Sequence, residues 1–230
     1  MMSAKPVRPV IPSLKNVMNI KVWDLATRLF HWALVILIGF AWWSFEAGHL
    51  DWHKKAGSVV AGLMVFRVWW GLFGGSTARF SQFVRGPKAV YDYVFKGKKS
   101  GIGHNPLGAV SVIALLLIIA AVIAFGLFAI DTDGLESGPF SNLISYDQGR
   151  LASHLHGLAF KALEALVVLH ILAIGFYSLV KKQPLITAMI TGKKPAQDGE
   201  DGLKPANLWA LLIGLILGCA TAYGLIILSA

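Results

Sequence analysis

The stretch Ser153–Lys182, SHLHGLAFKALEALVVLHILAIGFYSLVKK, decides the fold. It is an apolar run longer than the roughly 20 residues a helix needs to cross a bilayer, and it carries His156 and His170. At about 1.5 Å and 100° per residue, their spacing sets the two imidazoles roughly 21 Å apart along the axis and about 40° out of line. That is too far for one metal ion. It suits two sites stacked on one face across a membrane.

The composition agrees. The chain has 230 residues, 56% of them hydrophobic and 14% charged, with a mean hydropathy of +0.63; a soluble domain carries about 25% charged residues. The net charge of +9 does not mark a nucleic-acid binder, because the basic residues fall between long apolar runs. Lipid headgroups and membrane orientation account for them. The single cysteine, Cys219, excludes an intrachain disulfide, a C-x-x-C-H haem attachment and a cysteine-ligated iron–sulfur cluster within the chain. The first twenty residues, with Pro6, Pro9 and Pro12 and no apolar core, do not read as a cleaved signal peptide, so the first span is expected to act as its own insertion signal.

Four regions follow: a flexible tail over residues 1–19, a helical bundle over 20–183, a hydrophilic linker over 184–206 and a fifth membrane helix over 207–230. The bundle opens with an interfacial segment, Ile20 to Arg28. Spans are expected at about Thr27–Phe45, Trp52–Phe73 and Leu107–Ile130, in the helix beginning near Ser153, and at Leu208–Leu228. PKAVYDYVFK, from Pro87, reads as a short interfacial helix, and Asp131–Arg150 as an acidic loop. The tail, the 74–105 stretch and the 181–207 linker hold most of the Lys and Arg. The positive-inside rule therefore puts the N-terminus and these segments in the cytoplasm and the C-terminus in the periplasm. The fold class is an all-α integral membrane bundle of four helices plus a fifth.

This topology gives each histidine a depth. His31 and His170 share the cytoplasmic level, and His53 and His156 the outer level. Ionisable residues buried in membrane helices mark function. Paired imidazoles without a nearby carboxylate or thiolate suit the two axial positions of b-type haem iron, whereas zinc normally takes three or four ligands. Gly57, one turn after His53, leaves that face bare for a flat macrocycle. Arg67 returns to the same face at the cytoplasmic level, and with Arg28 is a candidate partner for a haem propionate. His104 and Asn105, in GHNPLG, are candidates to hydrogen-bond a quinone carbonyl, or else to cap the third span ahead of Pro106. His49 and His154 are left over; His154 competes with His156, but its spacing to His170 puts those two on different faces. Six tryptophans, Trp23, Trp42, Trp43, Trp52, Trp69 and Trp70, fall near helix ends as an interfacial belt would. Lys161 and Glu164 sit inside the helix of His156 without an assigned role.

The motifs VWDLATRLFHW, HKKAG, FRVWWGLFG, ARFSQFVRGPKAVYDY, GHNPLGA, HLHGLAF…VVLHI and LITAMITGKK occur in this order over about Ile20–Lys194. Together they resemble the bacterial cytochrome b561 family, which includes the b-type cytochrome subunits of nickel–iron hydrogenases. The resemblance implies a four-helix core in the bacterial inner membrane with two b haems on His31, His53, His156 and His170. It implies electron exchange between membrane quinone and a periplasmic redox partner, a c-type cytochrome or an oxidoreductase subunit, and leaves room for oligomerisation. The chain would then be an electron-transfer component of an oxidoreductase. Two other readings stand beside this one. A superoxide:quinone oxidoreductase acting alone would use Lys54 and Lys55 to attract the anion, and a metal or proton transporter would use the histidines as a relay. The fifth helix has no histidine and lies beyond the smaller members' core, so it is expected to pack or dock a partner.

Overall fold

The computed structural model describes residues 19–98, 101–196 and 201–229. Residues 1–18 of the expected 1–19 tail, and Lys99 of the basic stretch, lie outside the described residues. In chain order the elements are β1 (Asn19–Lys21), α1 (Leu25–Glu46), α2 (Leu50–Phe73), α3 (Phe80–Phe83), α4 (Pro87–Lys96), α5 (Pro106–Phe128), α6 (Tyr146–Leu179), α7 (Leu185–Thr191), β2 (Lys193–Pro195) and α8 (Leu208–Leu228). Five of them, α1, α2, α5, α6 and α8, are long and apolar enough to cross a membrane.

Side-chain caps start four of these five. Asp24 accepts from Thr27 N at 2.6 Å ahead of α1, and Asn105 accepts from Gly108 N at 2.7 Å ahead of α5. Asn207 accepts from Trp209 N at 3.1 Å ahead of α8. Ser145 and Gln148 form a reciprocal capping box at α6. That box corrects the expected loop over Asp131–Arg150, whose last residues are helical. At 34 residues, α6 is about 51 Å long, well over the roughly 30 Å of hydrocarbon. In its first turns Gly149 packs on Ile130.

The bundle is organised around α2, the only one of the five with more than half of its apolar window buried. α1 packs on one side of it and α8 on another. Small residues set the second contact: a Cβ on Gly62 would lie 2.4 Å from Gly218 O, and one on Gly214 would lie 2.7 Å from Trp69. Membrane helices associate through such close backbone approach, since apolar side chains gain little over lipid. α5 and α6 form a second tight pair, with α5 also touching α2. Among the described residues there is no comparable backbone approach of α6 to α1 or α2.

At the basic end, described parts of the 74–105 stretch and the 181–207 linker fold with the segment from Asn19 to Trp23 into one plate. β1 pairs antiparallel with β2, Ile20 opposite Lys194. Leu203 N donates to Lys21 O at 2.8 Å, Ser76 N to Lys204 O at 3.0 Å, and Thr77 Oγ1 to Val22 O at 2.6 Å. The expected hydrophilic linker is thus partly structured, containing α7 and β2. The tryptophans divide accordingly. Trp42, Trp43 and Trp52 are exposed near the opposite end, but Trp23 and Trp70 are buried, and Trp69 Nε1 donates to Ala210 O of α8 at 2.7 Å. These last three correct the belt reading, because their polar edges and rings are needed inside the fold.

Candidate haem and quinone sites

The outer histidine pair comes from α2 and α6. His53 and His156 stand nearly perpendicular, with ring centroids 5.9 Å apart. His53 Nδ1 donates to Ala41 O at 2.8 Å, and His156 Nδ1 to Val122 O at 2.8 Å. A carbonyl can only accept, so each Nδ1 carries the proton and each Nε2 keeps its lone pair. α5 comes this close because Gly126 has no side chain; a Cβ there would lie 2.9 Å from His156 Nδ1. A Cβ at Gly57, on the His53 face, would meet nothing within 4 Å. His154 is exposed while His156 is half-buried, which separates the two competitors. His49 precedes α2 and packs against Trp43 and Trp52.

His31 of α1 is within electrostatic reach of His170 of α6. His31 Nδ1 is enclosed without a partner, and Ser111 Oγ lies 3.4 Å from His170 Nδ1. Beneath them sits Arg67, 4% exposed. It donates to Ala78 O at 3.3 Å, lies over the Phe80 ring and feels the charge of Asp24. Arg28 takes another course, donating to Ile190 O at the end of α7.

His104 lies between Trp23 and Phe83, with both ring centroids at 4.6 Å. Its Nδ1 is shut off from solvent and has no partner, although other parts of the residue reach the surface. Burial, with Arg67 and His170 nearby, pushes the imidazole down to about 3. The ring also borders a cavity of about 720 Å³, lined by Gln82, Arg85, Asp92, Tyr93 and Lys98 among others. Asn105 serves as the cap of α5, leaving its amide N–H groups to donate elsewhere.

Several contributors were not singled out from sequence. Asp24 caps α1 and accepts from Trp70 Nε1 at 3.2 Å; its place before an apolar run, three residues ahead of Thr27, was a readable cap signal. Tyr93 and Tyr177 share a hydroxyl contact at 3.3 Å between α4 and α6, for which no local pattern exists. Among the described residues no three of His, Cys, Asp or Glu converge on one point.

Residues 22–192, from the plate through both histidine levels, match the family model described as prokaryotic cytochrome b561. The chain belongs to that family. α8 lies outside the matched region. A "Probable Ni/Fe-hydrogenase B-type cytochrome subunit" from Azotobacter chroococcum mcd 1 is 25% identical, over 77% of this chain and 89% of its own. A protein of the same description from Rhizobium leguminosarum bv. viciae is 24% identical, over 80% of this chain and 92% of its own. No solved structure matches the chain. This cytochrome b561 is thus a multi-pass membrane b-type cytochrome, which implies haem b. The outer pair fits such a group: a metal–imidazole bond of about 2 Å places the centroids of two opposed imidazoles about 6 Å apart, close to the observed 5.9 Å. A metal-bound histidine usually donates its other ring N–H to a carbonyl or carboxylate, as both Nδ1 atoms do here.

Proposed function

We propose that this cytochrome b561 holds two b haems and carries electrons across the bacterial inner membrane between the quinone pool and a periplasmic redox partner. His53 and His156 would hold the outer haem, and His31 and His170 the inner one. The outer pair carries the reading, because its two proton-bearing Nδ1 atoms leave both Nε2 lone pairs free. The haems supply one-electron chemistry, which apolar side chains cannot. The protein supplies position. Backbone carbonyls of α1 and α5 fix the outer tautomers, and the buried Arg67 places a cation at the inner level, available to a propionate alongside Arg28.

Quinone would bind against His104, where a neutral imidazole and the Asn105 amide can hydrogen-bond its carbonyl oxygens. The adjoining polar cavity opens on the basic plate, a route for protons from the side that the positive-inside rule makes cytoplasmic. The relatives are described as hydrogenase cytochrome subunits, so the partner class is a hydrogenase or similar oxidoreductase, or a c-type cytochrome. The stand-alone superoxide reading loses one of its two attracting charges, since Lys54 is paired with Glu136 at 2.7 Å.

The decisive experiment is haem quantification on purified protein in lipid, followed by addition of a quinol or a quinone analogue. About two b haems per chain, reducible by quinol, are expected. One haem or none would overturn the two-level reading, and haems inert to quinol would remove the quinone.

A further inference from the structure

Lys161 and Glu164 of α6 lie outside both histidine sites. Each is exposed, and neither belongs to an ion pair among the described residues. Their depth makes this notable. His156 is level with Val122 and Gly126, within two turns of the end of α5 at Phe128. Lys161 is about 7.5 Å deeper than His156, and Glu164 about 12 Å deeper. Glu164 is therefore near the middle of the bilayer, and the Lys161 stem is too short to bring its ammonium to the headgroups. Opposite charges at that depth need partners.

The surrounding face shows what kind of partner fits. Leu158, Lys161, Ala165, Val168 and Leu172 follow a three-four spacing, the seam of a two-helix coil. All five are exposed, and they lie on the side of α6 away from Ala159 and Leu163, which are buried. Glu164 flanks the seam just before Ala165, at the position from which coiled helices exchange charges. Side chains of both helices lean toward the N-terminus alike, so Lys161 and Glu164 keep an axial offset of about 4.5 Å, which a lysine stem spans.

A surface that bears both charges beside one seam is complementary to itself. We infer that α6 is the contact helix of a homodimer in the membrane, parallel about a two-fold axis, in which Lys161 of each copy pairs with Glu164 of the other. A two-fold interface brings the same patch from each subunit, so both charges are satisfied in one contact.

The test uses the full chain in nanodiscs of defined lipid, with mass measured by native mass spectrometry and haem content recorded for every variant. Wild type is expected as a dimer. Lys161→Glu should lower the dimer fraction at least tenfold at unchanged haem content, and Lys161→Glu with Glu164→Lys should restore it. Val168→Cys in a Cys219→Ala background should cross-link to a second copy of itself. A monomeric wild type, or a double swap that dimerises no better than the single one, would overturn the proposal. So would a Val168→Cys cross-link formed only to a different protein.

Discussion

His53 and His156 stand nearly perpendicular across the space between α2 and α6, and each is steered by a carbonyl from a third element, Ala41 of α1 or Val122 of α5. Four helices therefore set the geometry of one histidine pair. His53→Ala and His156→Ala should each remove one b haem of two and leave the other with its spectrum intact. Reduced-minus-oxidised difference spectra with haem quantification decide this. Loss of both haems from a folded variant would show that the two levels are not independent.

Gly218 is the residue on which α8 rests against α2. A Cβ there would lie 2.8 Å from Gly62 O, so Gly218→Val must push the helices apart. Overpacking of this kind costs about 1–3 kcal/mol. Thermal unfolding in detergent should show a lowered Tm, while the haem spectra stay unchanged because α8 carries no histidine.

His104 gives a pH dependence whose sign follows from its burial. Its folded value of about 3 lies far below the ordinary 6.5, so between those values the unfolded chain binds more protons than the folded one. Stability should fall as pH drops from about 6.5 toward 3, with a slope approaching 1.4 kcal/mol per pH unit from this group. Tm measured from pH 7 to pH 4 should show a flatter profile in His104→Gln. The wild-type ring stays neutral throughout that range.

Asp92 pairs with Lys96 inside α4 at 2.8 Å and with Lys98, in the turn after it, at 2.6 Å. Hydrogen bonds from these two lysines hold its carboxyl below the usual range. A depressed carboxylate stabilises the fold above its unfolded value of about 3.9 and loses that effect as pH falls through the folded value. Protection factors for amide exchange over residues 92–98, with the intrinsic pH dependence divided out, should be high at pH 7 and fall only below about pH 4. In Asp92→Asn they should be low at both.

The five spans, and the approach of His53 to His156, were legible because hydropathy and helical phase act over long windows. A residue that departs from an apolar run, such as His156 or His170, stands out against it. β1 and β2 were not legible: each has three residues, too few for alternation to show, and their pairing depends on a partner far away in the chain. The start of α6 was hidden differently. Ser145 and Gln148 spell a capping box, yet the acidic surroundings read as loop, and tertiary contacts such as Arg150 with Ile130 O hold the first turns. The docking of α8 had a signal in the spacing of Gly214, Gly218 and Ala222, but its target, Gly62, is visible only once the helices are placed. His104 and Asn105 were singled out together and turn out to divide their work, one lining the cavity and one capping α5.

The pairing of β1 with β2 also imposes an order on biosynthesis. α1 and α2 emerge from the ribosome and enter the membrane with His31 and His53 while β1 has nothing to pair with. α6 then delivers His156 and His170, and only afterwards does the strand at Lys193–Pro195 exist. The sheet is a latch that shuts after all four histidines are in place, so a nascent chain halted before Lys193 would contain every histidine of both levels and still have an open plate.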